Sequence, residues 1–380
     1  MYDVYMRIWL IAENWAPKVG GIERYLFGIA SHLDEHEVTV FAPFDSSRDA
    51  RFAQGKPLQA SRFQVIRKRF SWKPLRPAWL PLYFFLSRKA QHERPDFIIC
   101  GKALLEGRIA RLLKKHLNIP YIVCTYGMEI STWKSRERIR KQLVSVLQDA
   151  KAVLYINEQT KQELRELGVE ESKMKALYPG IDAASHIAPA NPEETLARMG
   201  VRSPYVLTVA RLVPRKGVDD LIRAFAMITS RSLLVIAGDG PERVHLEKLA
   251  KKLGVDAKFL GAISDEDLLA LYSRAELFAL TPKELPGDYE GFGIVYLEAA
   301  LFGLPVIGTK TGGVAGAVQD GMTGILAKPN NPKSIAEALQ KLLADNALST
   351  AYGQAGKERV LQEFTWEKTI KRLTTIVTSI

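Results

Sequence analysis

The chain has 380 residues, too many for one ordinary hydrophobic core, which predicts two domains. Its 47% apolar and 25% charged residues are those of a folded globular protein and exclude a disordered or collagen-like chain. The net charge of +11 is local: residues 51–150 carry 21 Lys/Arg against 6 Asp/Glu, whereas residues 151–380 carry 28 of each.

Strands and helices alternate along the chain, the pattern of parallel sheets covered by helices. In the first half, strands are expected at 6–12, 37–42, 64–67, 96–100, 120–125, 152–156 and 175–178. Helices are expected at 22–33, 79–90, 103–116, 135–149 and 158–167. The start, apolar around Ile8–Ala12 but flanked by Asp3 and Glu13, reads as a buried strand rather than a signal peptide. Pro179-Gly180 and the Pro/Ala-rich stretch 188–192 read as an interdomain linker. Strands are then expected at 205–210, 233–237, 258–260, 275–280, 305–308 and 324–326. Helices are expected at 218–228, 242–253, 265–273, 292–302, 332–344, 347–362 and 365–378. No apolar run approaches the length of a membrane span. Cys100 and Cys124 have neither metal spacing nor a disulfide framework, which points to a reducing cytoplasm.

The basic stretch includes Arg67-Lys68-Arg69, Lys73, Arg76, Arg88-Lys89, Arg111, Lys114-Lys115 and Arg136, with Trp72, Trp79, Tyr83, Phe84 and Phe85 among the first of these. Cations beside Trp and Tyr suit an anionic bilayer surface, where each Lys or Arg adds about 1 kcal/mol. Nucleic acid is the competing partner for a basic patch, but no recognised nucleic-acid module is present. The plainer reading is a solvated face over core aromatics.

Residues 290–298, Glu-Gly-Phe-Gly-Ile-Val-Tyr-Leu-Glu, read as a loop becoming a helix near Gly291–Gly293. Small residues at a helix start let a ligand approach N–H groups that lack intrahelical partners, and such a terminus attracts phosphate. At 1.5 Å per residue Glu290 and Glu298 would lie roughly 12 Å apart along the axis, suited to the two ends of a sugar nucleotide. The competing reading is a capping glutamate and a solvated one.

Upstream, strand 205–210 delivers Arg211 to its carboxyl end, and Lys216 follows a proline turn. Arginine grips phosphate oxygens in a bidentate manner and lysine adds a point charge, so the pair would neutralise a diphosphate and stabilise it as it leaves. Lys18-Val19-Gly20-Gly21-Ile22-Glu23, Gly238-Asp239-Gly240 and Gly312-Gly313 are glycine turns that open helices. None carries a full dinucleotide fingerprint, and a structural turn is the default for each. No metal is expected: the six His are scattered, and Asp265-Glu266-Asp267 after Ser264 is a capping cluster.

The segments 210–217, 237–240, 259–261, 290–298 and 303–307, in this order, resemble those of retaining family 4 glycosyltransferases, particularly the bacterial phosphatidylinositol mannoside mannosyltransferases. The resemblance implies the GT-B fold, two doubly wound, Rossmann-like α/β domains facing a central cleft. Residues 1–184 would bind the acceptor, 185–364 the nucleotide sugar, and 365–380 would form a helix packing back on the first domain. By matching position, Arg211 and Lys216 would hold the diphosphate, with Gly20 and Gly21 contacting it from the other domain. Glu290 would meet hexose hydroxyls and Glu298 the ribose. Backbone at Phe292, Gly293 and Ile294 would assist, Gly238 and Gly240 would lie among the donor contacts, and backbone near Ala262 and Ile263 would face the base. Relatives often carry Thr-His-Gly-x-Glu in the first domain, where this chain has Thr125-Tyr126-Gly127-Met128-Glu129. Either Tyr126 remodels the sugar contact, or the register of the match is off by a residue or more, or Tyr126 is a packing aromatic at a strand end.

The reaction implied is transfer of a hexose, with retention, from a nucleotide diphosphate sugar to a lipid-linked or cell-envelope glycan acceptor, at the cytoplasmic membrane face and without a cofactor. GDP-mannose is the donor that the resemblance points to. UDP-glucose, UDP-galactose and UDP-N-acetylglucosamine stay open, as do a sugar-nucleotide epimerase and a non-catalytic sugar-nucleotide binder. The chain says nothing of oligomeric state.

Overall fold

The strand–helix alternation is realised as two separate parallel sheets. The computed structural model describes residues 5–16, 18, 20–44, 63–71, 77–133 and 136–379. Asp3, Val19 of the first glycine turn, Ser135 of an expected helix, and Trp72, Lys73 and Arg76 of the basic stretch lie outside the described residues. The chain divides into one unit of Met1–Gly180 with Trp366–Ile380 and a second of Ile181–Thr365.

In the first unit the order is β1 (Arg7–Ile11), α1 (Gly21–His32), β2 (Glu37–Pro43), β3 (Phe63–Lys68), α2 (Leu80–Glu93) and β4 (Phe97–Cys100). It continues with α3 (Leu105–Leu117), β5 (Tyr121–Thr125), α4 (Met128–Trp133), α5 (Glu137–Asp149), β6 (Ala152–Tyr155), α6 (Glu158–Glu166) and β7 (Met174–Ala176). The sheet order is β3-β2-β1-β4-β5-β6-β7. The pairs run parallel, in registers such as Leu10↔Ile99 and Val123↔Val153. Strands β4, β5 and β6 are buried at every residue, because helices cover both faces of such a sheet.

The second unit runs α7 (Pro192–Arg198), β8 (Tyr205–Val209), α8 (Val218–Phe225), β9 (Leu233–Ala237), α9 (Arg243–Leu253), β10 (Ala257–Gly261) and α10 (Asp265–Arg274). Then come β11 (Leu277–Ala279), α11 (Ile294–Leu301), β12 (Val306–Thr309), α12 (Val314–Ala317), β13 (Gly324–Ala327), α13 (Pro332–Ala344) and α14 (Asn346–Glu363). Its sheet order is β10-β9-β8-β11-β12-β13. The order reverses between β8 and β11, and in doubly wound sheets ligands bind at the carboxyl ends of the strands flanking such a reversal.

The last helix, α15 (Trp366–Thr378), belongs to the first unit. Trp366 lies so close to α1 that a Cβ on Gly28 would stand 1.8 Å from its ring. His32 stacks on the same ring at 5.1 Å. Helices α4, α7 and α12 had no counterpart among the expected elements; each spans under two turns, too short for a periodic apolar signal. Pro192, read as linker, is the first residue of α7, where a missing N–H carries no penalty. The break between units falls after Gly180, a few residues before the expected boundary.

Candidate functional site

The loop after β8 is set by backbone contacts. Ala210 N–H donates to Ala237 O and Leu212 N–H to Asp239 O, so the loops after β8 and β9 run side by side. A Cβ at Gly238 would stand 1.9 Å from Ala210 O, and one at Gly240 2.3 Å from Leu212 O. Close approach of this loop is thus the observed reason for glycine at 238 and 240, both expected as donor contacts.

Pro214–Lys216 then form a single 3-10 turn, closed by Gly217 at φ 64°. Gly217 is pressed against β11's exit: a Cβ there would stand 1.9 Å from Thr281 O. Thr281 Oγ1 donates to Gly217 O at 3.1 Å and Lys283 N–H to Arg215 O at 2.8 Å. These contacts orient the two cations of the turn.

Both cations meet Glu290. Lys216 Nζ lies 2.6 Å and Arg215 Nη1 2.7 Å from Glu290 Oε2, and Arg215 Nε pairs with Asp288 Oδ1 at 2.9 Å. Burial pushes the Glu290 carboxyl up, but Lys216 and then Arg215 outweigh it and hold it below the usual carboxylate range. The Glu290 backbone is fixed as well: its carbonyl accepts from Gly313 N–H at 2.8 Å. Gly312, at φ 54°, comes so near that a Cβ would stand 2.2 Å from that carbonyl.

Lys216, expected on the diphosphate, and Glu290, expected on the hexose, are therefore in direct contact, 74 residues apart in sequence. Arg211 is not in this cluster. It is exposed, and among the described residues no ion pair holds it. Arg215 and Asp288 were not singled out from the sequence. The adjacency of Arg215 to Lys216 after a proline turn was the available signal.

The helix expected from residue 292 starts at Ile294, because Gly293 takes φ 83°. Glu290 thus precedes the helix by a non-helical stretch, the two glutamates do not follow one helical edge, and the 1.5 Å rise does not apply between them. Glu298 is not a solvated helix residue either. It is 4% exposed and accepts a 2.9 Å hydrogen bond from Tyr272 Oη of α10. Phe292 is a core side chain, edge-on to Phe364 at 5.7 Å. Ala262 is exposed and Ile263 half-buried just beyond β10.

In the first unit, Gly20 caps α1 in an extended conformation, φ −177°, that any residue adopts. A Cβ there would stand 2.5 Å from Glu23 Oε2, the far end of a flexible side chain, while nothing lies within 4 Å of one at Gly21. Asn14 Nδ2 holds Glu23 in place at 2.6 Å. Tyr126 is 6% exposed, its N–H donates to Glu129 Oε1 at 2.6 Å, and its ring stands edge-on to Tyr25. Its hydroxyl makes no well-formed hydrogen bond among the described residues. Tyr126→Phe is therefore expected to leave stability unchanged or raise it by about 1 kcal/mol. A clearly lower unfolding midpoint would show that the hydroxyl has a partner.

Glu106, at the start of α3, escaped the sequence reading. It is 1% exposed, and its Oε1 accepts from Glu13 N–H at 2.9 Å. Burial pushes its carboxyl up to about 7 against the opposing pull of that hydrogen bond. A raised carboxyl favours the fold fully below the ordinary glutamate range, and that contribution is lost as pH rises through about 7. Glu106→Gln cannot ionise, so above that pH it should be more stable than wild type by about 3 kcal/mol at most, with little difference near pH 5. Urea midpoints at both pH values check this; an equal offset at both would sink it.

Among the described residues no helix is long and apolar enough to cross a membrane, and no group of three or more His, Cys, Asp or Glu is placed to hold a metal ion.

Comparison with known proteins fits this arrangement. The profile described as Glycosyl transferases group 1 matches residues 198–359, and that of Glycosyltransferase Family 4 matches residues 19–185. The chain is 30% identical to the GDP-mannose-dependent monoacylated alpha-(1-6)-phosphatidylinositol monomannoside mannosyltransferase of Corynebacterium glutamicum, over 97% of each chain. It is 31% identical to the GDP-mannose-dependent alpha-(1-6)-phosphatidylinositol monomannoside mannosyltransferase of Mycolicibacterium smegmatis, over 96% of each. The crystal structure of Anabaena HepE in complex with UDP and glucose matches with TM-score 0.82 at 21% identity, covering 99% of this chain and 100% of that one. Sucrose-phosphate synthase from Thermosynechococcus elongatus matches with TM-score 0.79 at 22% identity, over 98% of each. The structural matches show the GT-B fold, and the full-length relatives show that the chain belongs to the family 4 glycosyltransferases.

Proposed function

We propose that this glycosyltransferase moves mannose from GDP-mannose, with retention, to a lipid-linked or cell-envelope glycan acceptor at the cytoplasmic face of the membrane. The observation that supports it most is the Arg215–Lys216–Glu290 cluster at the carboxyl end of the second sheet, beside its reversal point. Cations preorganised there suit a departing diphosphate, and no divalent metal is assigned to the reaction. Arg211, exposed on the same loop, joins them as a phosphate contact. Glu290 meets hexose hydroxyls and Glu298 the ribose. Backbone at Phe292, Gly293 and Ile294 assists, and backbone at Ala262 and Ile263 faces the base.

The choice of donor rests on the names of the relatives, which describe GDP-mannose-dependent enzymes with phosphatidylinositol-based acceptors. A membrane-bound acceptor also suits helix α2, where Phe84 is 61% exposed one turn from exposed Arg88. A thermal-shift panel of GDP- and UDP-sugars tests the donor, since a ligand that binds only the folded state raises its midpoint. GDP-mannose should give the largest shift; a larger one with a UDP-sugar replaces the donor, and none with any nucleotide sugar removes the reading. Mannose transferred to an added lipid acceptor separates transfer from epimerisation.

A further inference from the structure

Arg215 and Lys216 are the cations assigned to the diphosphate, yet both are satisfied without one. They converge on a single oxygen, Glu290 Oε2, at 2.7 and 2.6 Å. The Glu290 side chain is 9% exposed and that of Lys216 14%, so this is a largely desolvated ion pair rather than a surface contact. A phosphate oxygen accepting from the same N–H groups takes the position that Glu290 Oε2 already holds. Counting Asp288, the two cations face two carboxylates and carry no surplus charge. An anion gains from them only once Glu290 turns away.

A buried carboxylate cannot simply be abandoned, because an unpaired charge at such a position is strongly unfavourable. It needs other donors, and the groups a sugar nucleotide brings there are hexose hydroxyls. A nucleoside diphosphate brings none. We propose that Glu290 is an exchangeable counter-ion, which releases Lys216 and Arg215 to the diphosphate only when a hexose is attached and reclaims them after transfer. This rests on the assignment of Glu290 to the hexose and of the two cations to the diphosphate. The exchange makes the spent nucleotide a poorer ligand than the intact donor, and Glu290 thereby promotes product release as well as binding the sugar.

The test is isothermal titration of the full chain with inorganic pyrophosphate, GDP, UDP and their sugar derivatives. Glu290→Gln keeps an oxygen that accepts from hydroxyls but drops the negative charge that pairs with the two cations. It should bind pyrophosphate and the nucleoside diphosphate about tenfold more tightly than wild type, without a matching gain for the sugar nucleotide. Asp288→Asn removes the same charge beside Arg215 but leaves Lys216 paired, so it should gain clearly less. An unchanged or weaker pyrophosphate affinity in Glu290→Gln, or an equal gain in Asp288→Asn, overturns the exchange. Should Glu290→Gln not fold, wild type alone decides. The nucleoside diphosphate must bind more weakly than its sugar derivative, and equal or tighter binding overturns the proposal. If no sugar nucleotide binds wild type while the pyrophosphate arm behaves as expected, the competition of Glu290 with an anion for the two cations stands, whereas the assigned function, and with it release by a hexose, fails.

Discussion

Lys216→Ala should lower kcat/KM for transfer by about 10²–10³-fold, most of it in kcat. The Lys216 side chain is mostly covered and its ammonium lies 2.6 Å from Glu290, with its approach fixed by the contacts of Arg215 and Gly217 to residues 281–283. A charge held in place before the leaving diphosphate develops needs no reorganisation when it does, which is why its removal is felt in the chemical step rather than in binding alone. Loss of the lysine also leaves Glu290 with Arg215 as its remaining cation in the cluster. The wild-type Glu290 carboxyl lies below its ordinary range, so its contribution to stability is present above that range and lost as pH falls through the lowered value. In Lys216→Ala that loss should begin at higher pH. Arg211→Ala is the informative companion, because no ion pair holds Arg211 among the described residues and its removal should leave the unfolding midpoint unchanged. Steady-state kinetics of Lys216→Ala within a few-fold of wild type would exclude it from the chemistry.

Gly217→Ala should destabilise the second unit by about 3 kcal/mol or more. Two separate effects add. At φ 64° a side chain is strained, and the new Cβ would lie 1.9 Å from a backbone oxygen that β11 and the Thr281 hydrogen bond hold in place. Gly287→Ala isolates the first effect, since Gly287 has φ 71° and nothing within 4 Å of a Cβ. It should cost about 1 kcal/mol. Equal denaturant midpoints for the two variants would show that the 217–281 contact yields readily. The same shift of the turn carries Lys216 away from Glu290, so Gly217→Ala should also lose activity under conditions where it is still folded.

The periodic elements were legible because their signals are local. Strand 233–237 and helix 332–344 were expected with the bounds the structure shows, since apolar runs and an Asn-Pro helix start act within a few residues. The start of α11 was read two residues early, at 292 rather than Ile294, although Gly293 announced the break: whether a glycine enters a helix or ends it, as here with φ 83°, is not set by its neighbours in sequence. Glu106 was missed for a related reason. A glutamate in a first helical turn looks like an ordinary dipole partner until the fold buries it against the loop after β1.

The alternation of elements and the family could be read from the chain alone, because both are written in short motifs whose order along the chain is their content. Folding in three dimensions was needed to set Arg215 rather than Arg211 beside Lys216 against Glu290, and to give Glu298 its partner in Tyr272. Those contacts join residues 74, 75 and 26 positions apart. The first two exist because the sheet places β11 next to β8 and so brings the loops after the two strands together, whereas the third joins α10 and α11, the helices before and after β11. Charge and burial at each carboxylate follow from that placement, and no local pattern encodes them.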